Sequence, residues 1–86
     1  MKYYYIYVLK SGKDNNFYTG YTNNVNKRVK QHNVGEVQST KYRLPLTLIY
    51  WEGCLNQKDA LRREKYLKTA WGKRYIKNRL KNYLII

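Results

Sequence analysis

Two aromatic triplets, Tyr5-Ile6-Tyr7 and Tyr18-Thr19-Gly20, flank a polar stretch, and each carries a phenol that could orient a water or move a proton. Arg28 and His32 follow, four residues apart, on one face of any helix that carries them. A guanidinium forks onto phosphate or carboxylate, and an imidazole can accept, donate or relay a proton. Further along, Ala60, Glu64, Leu67 and Trp71 recur at helical spacing, so Glu64 falls within an otherwise apolar stripe. A carboxylate on such a stripe is costly unless it is paired or binds a cation. The ordinary reading is an ion pair with a nearby arginine; the chemical reading is a cation site. Gly20, at the end of the second triplet, removes a side chain where another backbone or a phosphate could approach. Taken one at a time, these residues have plain structural readings: tyrosines pack, a lone arginine is solvated and a lone histidine is structural.

The elements that must position them are legible from pattern. Residues 3–9, YYYIYVL, are aromatic and β-branched and predict a strand; KSGKDNN is turn-forming; FYTGY at 17–21 predicts a second strand. Thr22 or Asn23 is placed to cap a helix over 24–33, with Val25 and Val29 sharing a face. The segment VGEVQSTKYRLP predicts a loop or a short irregular helix, Pro45 holding Leu44 extended, and LTLIYWE at 46–52 predicts a third strand. Asn56 opens a helix over 57–70, with Asp59 near its positive end and Gly72 interrupting it. A last helix over 73–84 sets Ile76, Leu80, Tyr83 and Leu84 on one side and Lys73, Arg74, Lys77 and Lys81 on the other. The order β-β-α-β-α-α predicts an α+β fold, a three-stranded, mainly antiparallel sheet flanked by helices, in one domain over 1–86. No repeat, linker or low-complexity segment interrupts it.

Eighteen Lys and Arg against five acidic residues give the 86-residue chain a net charge of +13. Such an excess calls for a polyanion, nucleic acid first and an anionic membrane surface second, since the basic residues spread over the whole chain. No apolar run approaches the ~20 residues of a membrane span, and Lys2 followed by tyrosines gives no signal-peptide pattern. One cysteine and one histidine exclude an internal disulfide, a cysteine-built zinc site and multi-histidine metal chemistry, and fit a reducing cytoplasm. Eleven tyrosines against one phenylalanine make a core whose hydroxyls need partners. Tyr3, Tyr4, Tyr50, Tyr66 and Tyr83 read as packing or surface residues, Trp51 and Trp71 as core, and Cys54 as incidental.

The ordered set resembles the GIY-YIG nuclease family. Tyr5-Ile6-Tyr7 stands where that family has GIY, and Tyr18-Thr19-Gly20 where it has YIG. The stretch TNNVNKRVKQH looks like the family's helix with its arginine and histidine, and ALRREKYLK holds an acid at Glu64 where the family has one. The segments STKYR and LKTAWGKRY resemble the family's small stand-alone branch of excinuclease-like proteins. Two positions depart from the motif: Tyr5 replaces the first glycine and Thr19 the isoleucine. Some members add an asparagine near the C-terminal side of the site; Asn78 and Asn82 are the two candidates for it, and the sequence does not choose between them.

The resemblance implies a metal-dependent endonuclease hydrolysing phosphodiester bonds in DNA, in repair or processing. Glu64 would hold one Mg²⁺ or Mn²⁺ ion, since a hard cation prefers carboxylate and water oxygens. Arg28 would fork onto the scissile phosphate, and Tyr18 would orient water or phosphate. Tyr7 or His32 would be the general base. A phenol with an ordinary pKa of about 10 would need nearby cations to lower it. Gly20 and the basic residues Lys73, Arg74, Lys77 and Lys81 would contact DNA. The alternatives are a nucleic-acid-binding module without catalysis and a structural component of a ribonucleoprotein, which has no need of Glu64 on an inward stripe.

Overall fold

The computed structural model describes residues 1–85. Strand β1 (Tyr4–Ser11) lies in the middle of the sheet, with β2 (Phe17–Thr22) and β3 (Leu46–Cys54) antiparallel on either side, in the order β2-β1-β3. Side chains alternate along β1, and both faces are covered. Ile6 and Val8 pack with Ala60 and Leu67 of α2 (Gln57–Leu67) and Ile76 of α3 (Ala70–Arg79). Tyr7 and Leu9 face the other way, packing with Leu46 and with Val25 and Val29 of α1 (Val25–Asn33). Coverage on both sides is why the run Ile6-Tyr7-Val8-Leu9 is buried without interruption. Between Val8 and Leu9 the pairing with β3 slips by one residue, so Ile49 and Tyr50 both serve the α2/α3 core while Leu48 serves the α1 side.

The fold class and element order are as predicted, and the differences lie at boundaries. The strands run a little further than predicted. Helix α1 is capped by Asn24, whose side chain accepts from the Lys27 amide at 3.1 Å; Thr22 acts one step upstream, accepting from the Asn24 amide. The segment after α1 is a series of turns that buries Val37 and Thr40.

The helix predicted over 57–70 ends at Leu67. Thr69 caps a new helix, its hydroxyl accepting from the Gly72 amide at 3.1 Å and donating to the Tyr66 carbonyl at 2.6 Å. Gly72 therefore lies inside α3. A Cβ there would collide with the Tyr66 carbonyl and the Leu67 backbone, so the glycine permits the close α2–α3 crossing. This turn removes Trp71 from the expected stripe: Ala60 and Leu67 are buried, but Trp71 belongs to α3 and is 66% exposed. Trp51, also expected in the core, is 55% exposed on β3. Beyond Leu80 the chain forms only the single turn α4 (Lys81–Leu84), on which Tyr83 is exposed.

Candidate active site

Tyr7 is the pivot of the site. It lies directly opposite Gly20 on β2, and its ring passes across that residue; a Cβ at Gly20 would overlap the ring and its hydroxyl. The close approach foreseen at Gly20 is thus made by Tyr7 itself, and Gly20 is buried rather than open to a phosphate. Placed this way, the Tyr7 hydroxyl meets Nε2 of His32 at 2.8 Å, and Nδ1 of His32 meets the Thr40 hydroxyl at 2.7 Å. Tyr7, His32 and Thr40 are essentially fully buried. Tyr18, two residues before Gly20, points to the same face, its ring 5.1 Å from the imidazole and 6.4 Å from the Tyr7 ring.

Helix α1 supplies the rest of this cluster. Its Val25 and Val29 anchor it to the sheet, which carries His32 inward and leaves Arg28 half-buried near the Tyr7 hydroxyl. Arg28 donates to Gln31 Oε1 at 3.1 Å. Burial, with the nearby Arg28 charge, lowers the His32 pKa to about 4, so the ring is neutral near pH 7. A neutral imidazole donates from one nitrogen and accepts at the other, so Tyr7, His32 and Thr40 form one directional chain of hydrogen bonds. Burial raises the Tyr7 hydroxyl, Arg28 pulls it down in part, and the balance stays above the usual phenol value. The lowering expected from nearby cations is outweighed by desolvation.

Glu64 projects from α2. Its charge reaches the Tyr7 hydroxyl and adds to the rise there. The arginine pairing suggested by the sequence is absent: Glu64 Oε2 instead accepts from Lys68, one turn along, at 3.1 Å. The neighbouring Arg63 turns the other way and forks onto Glu52 of β3 with two bonds of 2.9 Å, over the Tyr75 ring and beside the Tyr50 hydroxyl. That cluster fixes α2 on the sheet and leaves the 19% exposed Glu64 side chain with only a long-stemmed, exposed lysine to satisfy it. Among the described residues no three His, Cys, Asp or Glu side chains gather to enclose a metal. A lone carboxylate fits an ion such as Mg²⁺, which keeps most of its waters and takes one or two protein ligands.

The basic residues of the last helices divide. Lys73 and Lys77 line a cleft of about 490 Å³ with Arg43 and the β1–β2 loop, and Lys77 and Lys81 line a second of about 550 Å³ with Lys10. Arg74 is turned away, its guanidinium 4.9 Å from the Trp71 ring centre. Asn78 and Asn82 are both exposed. Thr40, Gln31 and Lys68 were not anticipated: Thr40 lies in a loop without periodicity, and the Lys68 pairing is visible only as an i, i+4 spacing to Glu64.

The model of the GIY-YIG catalytic domain matches residues 3–81. The chain belongs to the GIY-YIG family. This GIY-YIG chain is 45% identical over 67 residues to a UPF0213 protein of Staphylococcus haemolyticus, covering 77% of this chain and 80% of the relative. It is 46% identical over 65 residues to a UPF0213 protein of Clostridium perfringens, covering 74% of this chain and 69% of that one. The solution structure of a UPF0213 protein from Bacillus halodurans is similar, with a TM-score of 0.54 at 31% identity, over 86% of this chain and 81% of that chain. No helix among the described residues of the GIY-YIG chain is long and apolar enough to cross a membrane.

Proposed function

We propose that this chain is a divalent-metal-dependent endonuclease that hydrolyses phosphodiester bonds in DNA, acting as one domain in the cytoplasm, in repair or processing of DNA. The observation that carries the reading is the buried Tyr7–His32–Thr40 hydrogen-bond chain, with Arg28 beside its phenol end. Arg28 forks onto the scissile phosphate and stabilises the charge that builds there. Tyr7 is the general base, although burial holds its phenol above the usual value, so Arg28 on the phosphate and a cation at Glu64 would have to draw it down. His32, with both nitrogens engaged and a pKa near 4, holds the phenol in place instead of meeting water itself. Tyr18 orients the water. Glu64 would hold one Mg²⁺ or Mn²⁺, and the ion would supply electrostatic stabilisation of the charge on the leaving oxygen. Lys68, exposed and on a long stem, would have to give up the Glu64 carboxylate to such an ion.

The Lys68–Glu64 pair is also the observation that favours a non-catalytic nucleic-acid-binding module, in which the lysine keeps the carboxylate occupied. Plasmid nicking by the parent and Glu64→Gln, in Mg²⁺, Mn²⁺ and EDTA, decides between them. The nuclease reading expects metal-dependent nicking by the parent alone. Binding without nicking in either metal would leave the module.

A further inference from the structure

An exposed aromatic patch lies beside the candidate active site on the same face of the sheet. Trp51 is the register partner of Tyr7, and Tyr5 lies two residues before Tyr7 on β1. The Trp51 ring meets Tyr5 edge-on, centroids 5.8 Å apart, and Tyr5 stacks on Tyr3 at 6.3 Å. Between this row and the start of α1 opens a cleft of about 330 Å³, with Tyr5, Trp51 and Leu48 on one side and Asn23, Asn24 and Asn26 on the other. Asn23 and Asn24 also wall the neighbouring cleft of about 450 Å³, which holds Arg28, Lys27 and Gln31. The two clefts are therefore adjacent compartments with a shared asparagine wall.

We propose that the aromatic cleft takes an unpaired nucleobase of the substrate strand, next to the phosphate on Arg28. This inference rests on the reading of Arg28 as a phosphate ligand. A flat, half-exposed indole offers a stacking face that any base can use. The exposed amides of Asn23 and Asn26 supply a donor and an acceptor each, the chemistry that meets the edge of a base. The occupant is nucleic acid because the chain carries +13 and the cleft shares its Asn23–Asn24 wall with the arginine compartment. A base stacked within a duplex cannot enter, so the substrate must present one that is unpaired or swung out.

The test uses Trp71→Phe, which leaves Trp51 as the sole fluorescent tryptophan. It is titrated in EDTA with oligothymidylate, an abasic oligomer of equal length and charge, and a blunt duplex. Oligothymidylate should quench Trp51 and bind roughly tenfold more tightly than the abasic strand, a base–aromatic stacking effect. Read by the anisotropy of end-labelled strands, Trp51→Ala should erase that ratio, and Trp51→Phe should keep most of it. Trp51 is more than half exposed, so both variants should melt close to the parent. Equal affinity for the two single strands, an unchanged ratio in Trp51→Ala, or equal quenching by the blunt duplex would each overturn the base site. Nicking by a parent indifferent to bases would sink the pocket alone. Base-dependent binding through Trp51 without nicking in either metal would sink the nuclease reading and keep the pocket.

Discussion

Tyr7 does two jobs that are separable by substitution. Its ring is core, and its hydroxyl ends a buried hydrogen-bond chain. Tyr7→Phe keeps the ring but leaves His32 without its partner, so a stability loss of about 1–2 kcal/mol is expected together with near-complete loss of nicking. Parental nicking rates in Tyr7→Phe across pH would remove the phenol from the chemistry. Arg28→Ala, on a half-buried residue, should lower cleavage by roughly 10²–10³-fold while changing the melting temperature little. The acids Glu52 and Glu64 differ in kind. Burial pushes the Glu52 carboxyl up, but the Arg63 fork and the Tyr50 hydroxyl outweigh it and hold it below the usual carboxylate range. Glu52→Gln breaks that fork and should cost about 1–3 kcal/mol. Glu64→Gln gives up only an exposed lysine pair worth about 0.3–0.5 kcal/mol, so it should fold like the parent while nicking falls to background. Paired urea titrations and metal-titrated nicking check both; a large stability loss in Glu64→Gln with residual metal-dependent cleavage would make Glu64 a structural residue. His32 gives the fold a pH signature. Its folded pKa of about 4 lies below the ordinary 6.5, so the unfolded chain takes up a proton that the folded chain refuses. Stability from this group is complete above pH 6.5 and declines as pH falls towards 4, by about 3 kcal/mol in all. His32→Gln should flatten the urea midpoint over that window, and a slope equal to the parent's would show that the histidine is not the titrating group.

At the scale of elements, what sequence patterns could reveal depended on how local the cause was. The strands follow from short aromatic and β-branched runs between turn residues and α1 from a local helix-start signal, though its cap is Asn24 and not Thr22 or Asn23; their limits were legible to within a residue or two. The α2–α3 break was not, because a continuous helical spacing from Ala60 to Trp71 runs through it. The break is set by Thr69, which reaches both the Tyr66 carbonyl and the Gly72 amide, and by the missing side chain at Gly72. Gly72 was visible as a punctuation mark, but its role as a contact point was not. Gly72→Ala should destabilise the fold by roughly 1–3 kcal/mol, since a methyl group there meets backbone and not a flexible side chain. A melting temperature at the parental value would mean that the two helices can separate without cost. The motif residues of the site were legible as a set, whereas Thr40 and Lys68 were not, since one depends on a turn that folds back onto α1 and the other on a side-chain choice at the surface.

For the whole molecule the governing quantity is charge. At +13, affinity for DNA should fall steeply with salt and show little sequence preference. Lys73 and Lys77 share one cleft with Arg43, so neutralising both should weaken binding evenly across sequences and reduce the salt slope by about 1–2. An unchanged slope would take that cleft out of the DNA footprint. The central position of β1 has a kinetic consequence as well. The strand that carries Tyr7 is hydrogen-bonded on both edges and covered on both faces, so its amides should exchange with solvent only when the whole fold opens. The single-turn α4 has no such protection. On warming, amide exchange should therefore begin at the C-terminal turn, and nicking should be lost only along the global melting curve.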